Sequence, residues 1–192
     1  MKSAITPSTE PLLELFYQAL TDDEPEVKSN AAFATGLLVE HTTVDLSPQF
    51  MHLLQALRPF FQINADATNQ QKTARDNAAG AVSRMLTRNS TTLPLDQVLP
   101  ILYSALPLRN DYVENKAVFK GIFHLFRTNP NALVPYIDTL LPVFAHVLDP
   151  ATTEEQLNDE TRSELLNLVT ALNREDTAKV QAAGLGVYVQ GA

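Results

Sequence analysis

Apolar positions along the chain fall into four similar blocks of eight residues, beginning at residues 13, 50, 99 and 141 and ending on Leu20, Leu57, Leu106 and Leu148. Each block carries apolar side chains nearly all round a helix, as expected of a helix packed on several sides. Behind each block lies a second helical segment built on small residues. Its core reads Asn30-Ala-Ala, Asn77-Ala-Ala, Asn115-Lys-Ala and, more loosely, Glu164-Leu-Leu. A period near 40 residues made of two helices predicts an all-α solenoid of hairpins, in which each unit buries its apolar face only against its neighbours.

Punctuation places the units at about 11–42, 47–88, 93–128 and 130–174, with a capping helix over about 175–190, all in one domain. Pro11 and Pro25 stand where a first helical turn tolerates proline, and Ser47-Pro48 reads as a cap followed by such a proline. Ala31, Ala32, Ala34 and Gly36 let the second helix of unit one approach its neighbour closely. Pro59 is expected to kink or stop its helix, and residues 62–71 to form a flexible polar loop. Pro100 and Pro142 predict a bend or a late helix start. The first helix is apolar on two sides, whereas a terminal solenoid unit needs a polar outer face. The expectation is therefore a C-terminal fragment that lacks its preceding repeats. The alternative is that residues 1–10 fold back as a cap.

Charge narrows the partners. Fourteen basic and twenty-two acidic side chains give a net charge of −8, shared evenly between the two halves, so the long-range field repels nucleic acid and favours basic partners. There is no cysteine, which excludes disulfides and thiolate metal sites. No uninterrupted run of 18 apolar residues marks a membrane span, and the first residues lack the apolar stretch of a signal peptide.

Catalytic signatures are missing from the sequence: there is no glycine-rich phosphate loop, zinc-binding His-Glu-x-x-His or nucleophile elbow. His41, His52, His124 and His146 suit core or edge roles. Glu40-His41 is the sole adjacent carboxylate–imidazole pair, too little for a repeat-built metal hydroxylase. No enzyme activity, cofactor or metal is expected.

The second helices carry the candidate binding chemistry. A helical wheel over residues 73–88 puts Ala74, Ala78, Ala81, Val82 and Met85 on one side and Asp76, Gly80, Ser83 and Thr87 on the other, facing the concave surface. One unit on, Glu114 and Asn115 correspond to Asp76 and Asn77. Acid beside amide on adjacent rungs would cradle a lysine ammonium, which has three donors and no acceptor. Asp111 would add a carboxylate and Tyr112 a ring face, with Asn30 and Ser83 as further candidates. The competing reading is structural: Asn30, Asn77 and Asn115 form a ladder in which each caps a neighbour's backbone.

The run Asp22-Asp23-x-Pro25-x-Val27-Lys28-x-Asn30-Ala31-Ala32 resembles the second helix of HEAT repeats. Asn30-Ala-Ala-Phe-Ala-Thr-Gly-Leu-Leu38, Thr73-Ala-Arg-Asp-Asn-Ala-Ala-Gly-Ala-Val-Ser-Arg84 and Val98-Leu-Pro-Ile-Leu-Tyr-Ser-Ala-Leu-Pro107 look like the C-terminal repeats of importin-β (karyopherin-β) family nuclear import receptors of the fungal importin-four type. The resemblance implies a HEAT-repeat α-solenoid that binds lysine-rich segments of histones, such as H3 and H4 tails, or of ribosomal proteins. It implies release by Ran GTPase through the full-length receptor, and shuttling between cytoplasm and nucleus. Asp76, Asn77, Glu114 and Asn115 match the inner-helix positions that engage such cargo. The fourth unit departs from the pattern at Glu164-Leu165-Leu166. An alternative is a HEAT scaffold subunit gripping a folded protein.

Overall fold

A computed structural model describes residues 6–64, 66–152 and 155–189. Nine α-helices and no strand occur among them: α1 Thr9–Leu20, α2 Pro25–His41, α3 Phe50–Leu57, α4 Asn69–Asn89, α5 Leu95–Ser104, α6 Asn115–Thr128, α7 Ile137–Leu148, α8 Asp159–Glu175 and α9 Thr177–Ala182. The fold is an all-α, HEAT-like solenoid. Helices α2, α4, α6 and α8 form the row of second helices. The α2–α4 seam is the most extensive contact in the molecule, α4–α6 follows, and α6–α8 is much slighter.

Local chemistry sets the helix ends. Asp22 Oδ1 accepts the Glu24 N–H at 2.8 Å just before Pro25 opens α2. Thr68 and Gln71 form a reciprocal capping box at the start of α4. Asn158 and Asp176 cap α8 and α9 through the Thr161 and Lys179 N–H groups. The apolar blocks of the sequence become the core, with Phe50, Leu53, Leu57, Met85, Tyr103, Phe119 and Phe144 almost wholly buried. Phe119 lies 5.9 Å from the Phe144 ring, tying α6 to α7.

Several sequence expectations need amendment. Pro100 and Pro142 each sit sixth in an uninterrupted helix, so neither helix starts late. Each removes one internal hydrogen bond, a loss tolerated because Leu99, Leu102, Leu141 and Phe144 are held in the core. The polar stretch over 62–71 is shorter than expected, since α4 already begins at Asn69. Pro59 does end its helix: α3 stops at Leu57 and a 3-10 turn, Arg58–Phe61, follows. The proposed fold-back of residues 1–10 lies half outside the described residues; α1 begins at Thr9. Within the segment expected to form a capping helix stand α9 and a 3-10 turn, Leu185–Tyr188, joined at Gly184 with φ +75°. Pro130–Leu148 is long and apolar enough by composition to cross a membrane. Its only α-helix is the 12-residue α7, about 18 Å long against a hydrocarbon layer of about 30 Å, and it packs into the core.

Candidate binding surface

The expected trough of inward acids and amides is filled by the fold itself. Asp76 and Glu114 are fully buried, and Asn77, Asn115 and Ser83 are nearly so. One oxygen of Asp76, Oδ2, accepts three successive backbone N–H groups, from Arg109 at 2.9 Å, Asn110 at 2.7 Å and Asp111 at 3.0 Å. Asp76 thus pins the loop that leads from α5 toward α6. Asn77 Nδ2 donates back to the Ser29 carbonyl and hydroxyl, at 3.2 and 3.1 Å. Asn115 Nδ2 donates forward to the carbonyl and side chain of Gln156, at 3.0 and 3.3 Å. The two amides tie neighbouring units by their backbones, and Asn30, which is exposed, takes no part.

Glu114 meets a cation from within the protein. Arg84, with its side chain 10% exposed, holds Glu114 through both terminal nitrogens, Nη2 at 3.0 Å from Oε1, and reaches Glu40 Oε2 through Nε at 2.8 Å. It therefore staples α2 and α4 to the short turn Tyr112–Glu114 that opens α6. Burial opposes its charge, yet the hydrogen bonds and fields of Glu114 and Glu40 hold Arg84 above its ordinary pKa. Burial pushes Glu114 up. For Glu40, burial is outweighed by the bond and charge of Arg84, and its pKa falls below the ordinary value. Gly80 makes the pairing possible: a Cβ there would land on Glu114 Oε2. Gly36 lets α2 press onto α4, with Ala81 Cα 3.0 Å from where a Cβ would stand.

Burial thus corrects the assignment of Asp76, Asn77, Glu114, Asn115 and Ser83 as a solvent-open cation site. A wheel drawn for one helix cannot register that α4 has a neighbour on either flank and a loop across its start. From Ala74 to Ser83 every residue of α4 is buried. Asp111 and Tyr112 are half-buried, and the Tyr112 hydroxyl donates to the Arg109 carbonyl at 3.1 Å. Burial, reinforced by the neighbouring Asp76 charge, raises the Asp111 pKa against an opposing bond from the Val113 N–H.

Accessible polar chemistry lies instead along the edge formed by the starts of the second helices. A recess of about 570 Å³ between α2 and α4 is lined by Glu26, Ser29, Asn30, Asn69, Gln70, Thr73 and Asn110. Asn110 is fixed there by a 2.5 Å bond to Thr73 Oγ1. Glu26 of the recess lining is exposed, as are Asp22, Asp23 and Glu24 in the turn that leads into α2. One carboxylate and several amide oxygens can accept hydrogen bonds from an ammonium group. Sequence reasoning found Asn30 and Asp111 but missed Glu26, Asn69 and Asn110. The capping box at Thr68, which fixes the start of α4, was the available signal.

No family model matches the chain. It is similar to the probable importin subunit beta-4 of Schizosaccharomyces pombe, 47% identical over 169 residues, which is 88% of the chain and 15% of that protein. It is similar to importin-4 of Homo sapiens, 31% identical over 172 residues, covering 90% of the chain and 15% of the relative. Importin-4 of Mus musculus is 31% identical over 160 residues. The chain thus spans about 15% of the length of the curated relatives it matches.

Proposed function

Because the chain belongs to the importin-β family, in its importin-4 branch, we propose that it is a cargo-holding segment of a nuclear import receptor. The cargo class is a lysine-rich segment, of the kind found in histone tails and ribosomal proteins. In the full-length receptor it would travel between cytoplasm and nucleus, with release governed by Ran GTPase. The segment contributes a binding surface and no reaction.

The observation that carries the cargo chemistry is the recess at the starts of α2 and α4. Glu26 lines it beside Asn30, Asn69 and Asn110, with three further exposed carboxylates at Asp22, Asp23 and Glu24. Asp111, next to Asn110 in the chain, extends the acidic edge toward Tyr112. The buried set of Asp76, Asn77, Glu114 and Asn115 acts beneath this edge as its frame: Asp76 fixes the backbone that presents Asn110 and Asp111. Individual exposed ion pairs contribute only about 0.2–1 kcal/mol, so affinity must come from several lysines engaging together and must fall with salt.

A lysine-rich histone-tail peptide titrated calorimetrically at low ionic strength tests this reading. Binding is expected to weaken at least about fivefold in a Glu26→Lys, Asp111→Lys double variant of unchanged helicity, because attraction becomes repulsion at two points. Equal affinity for the variant and the parent chain would reject the recess as the cargo site.

A further inference from the structure

A cleft between α2, α4 and α6 has the opposite sign to the edge. It has a volume of about 190 Å³ and is lined by Glu40, Arg84, Thr87, Arg88, Ala117 and Lys120. Three cations stand against one carboxylate in its wall and a second, Glu114, buried beneath. Arg84 is immobilised by its two acids, which use three of its five N–H donors. Arg88 is held by a 3.2 Å bond from Nη2 to the Thr42 carbonyl at the end of α2. Its neighbour Asp45 is itself committed to the Ser47 N–H at 3.0 Å. Lys120 makes no ion pair within 4.0 Å among the described residues, unlike Lys116 and Arg127 on the same helix, which pair with Glu160 and Glu164. Ala117, one turn before Lys120, leaves the floor open.

We propose that this cleft is a carboxylate-binding subsite for an acidic segment of a partner protein, with Arg88 and Lys120 clasping an Asp or Glu side chain over the fixed guanidinium of Arg84. Three cations less two carboxylates leave one net positive charge, matched to a monoanionic carboxylate. A phosphate monoester, with a charge near −2, would be undercompensated. Lys120, the α6 cation that lines the cleft, has no carboxylate within ion-pair distance among the described residues, whereas Lys116 and Arg127 are already paired. This inference is independent of how the basic cargo is held, because the two surfaces share no lining residue.

The test is fluorescence anisotropy of the 192-residue chain with a labelled, end-capped hexaglutamate peptide at low salt. Saturable binding is expected, and an Arg88→Ala, Lys120→Ala double variant should weaken it about tenfold with helicity unchanged. A Lys28→Ala, Lys72→Ala control should bind as the parent does. A zero-length carbodiimide, which joins an amine to a touching carboxylate with loss of water, should couple the peptide to Lys120 preferentially. Absence of binding, equal affinity in the double variant, or coupling spread evenly over all lysines would each overturn the proposal. Displacement of the peptide by inorganic phosphate at similar concentration would also overturn it, in favour of a free-anion site.

Discussion

The seams α4–α6 and α6–α8 join equivalent helices of successive hairpins by different physics. At α4–α6 the helices close over a buried ion pair, Arg84–Glu114, with Gly80 giving up its side chain to make room. At Gly121 of α6 a Cβ would stand 3.3 Å from the Ser83 Cβ and carbonyl oxygen, a tight fit but not a collision. At α6–α8 the ion pairs Lys116–Glu160 and Arg127–Glu164 are solvent-facing, and a buried tie runs from Asn115 to Gln156 in the segment before α8. At the first seam, removing either partner of the pair strands a charge in a low dielectric; at the second, water can replace the two exposed ion pairs at little cost. Both proposed binding surfaces, the edge recess and the cationic cleft, lie on the α2–α4–α6 side.

The widest separation between the seams should come from glycine substitution. Gly80→Ala places a methyl on Glu114 Oε2 and forces the buried pair apart, which should cost about 3–5 kcal/mol of unfolding free energy. Gly121→Ala meets Ser83 Cβ and O at 3.3 Å and needs only a small shift, so it should cost about 1 kcal/mol or less. Urea denaturation of the two variants decides the matter. Equal losses would mean that the ion pair is not what locks α4 to α6.

The period, the hairpins and most helix boundaries were legible in the sequence because they depend on local spacing. The apolar blocks ending at Leu20, Leu57 and Leu148 are core, and small residues mark the tight α2–α4 approach. Asn77 and Asn115 were legible as recurrent amides, and of the two readings open for them the backbone tie is the one the coordinates display. What stayed hidden was lateral. Asp76 finds its partners more than thirty residues away, in backbone N–H groups that no side-chain pattern advertises. Nothing in the helical pattern of residues 73–88 says that Arg84 would reach both flanking units at once. For the same reason the second helices were expected to present acids, although the cleft between α2, α4 and α6 sets Arg84, Arg88 and Lys120 against Glu40.

Carboxylate neutralisation without a change of volume gives a finer contrast. Glu114→Gln leaves Arg84 with a buried, uncompensated charge, relieved only in part by Glu40, and should cost about 3 kcal/mol. Glu164→Gln, at a half-exposed pair with Arg127, should cost at most about 1 kcal/mol, and less in high salt. A loss of similar size in both would erase the distinction between the seams.

The smallest expected effect separates the two carboxylates that share Arg84. Glu40 has a folded-state pKa below the ordinary 4.5, so its contribution to stability is present above that pH and fades as pH falls through the lowered value. Glu114, buried in its pair with Arg84, is screened little by salt. Chemical denaturation across the acid range should therefore show Glu40→Gln slightly flattening the loss of stability on acidification, an effect that vanishes in high salt because Glu40 is more than one-third exposed. The loss caused by Glu114→Gln should persist in high salt. Equal salt sensitivity of the two variants would mean that Arg84 treats its two acids alike. The staple would then be a single exposed network rather than a buried pair with an outer guard.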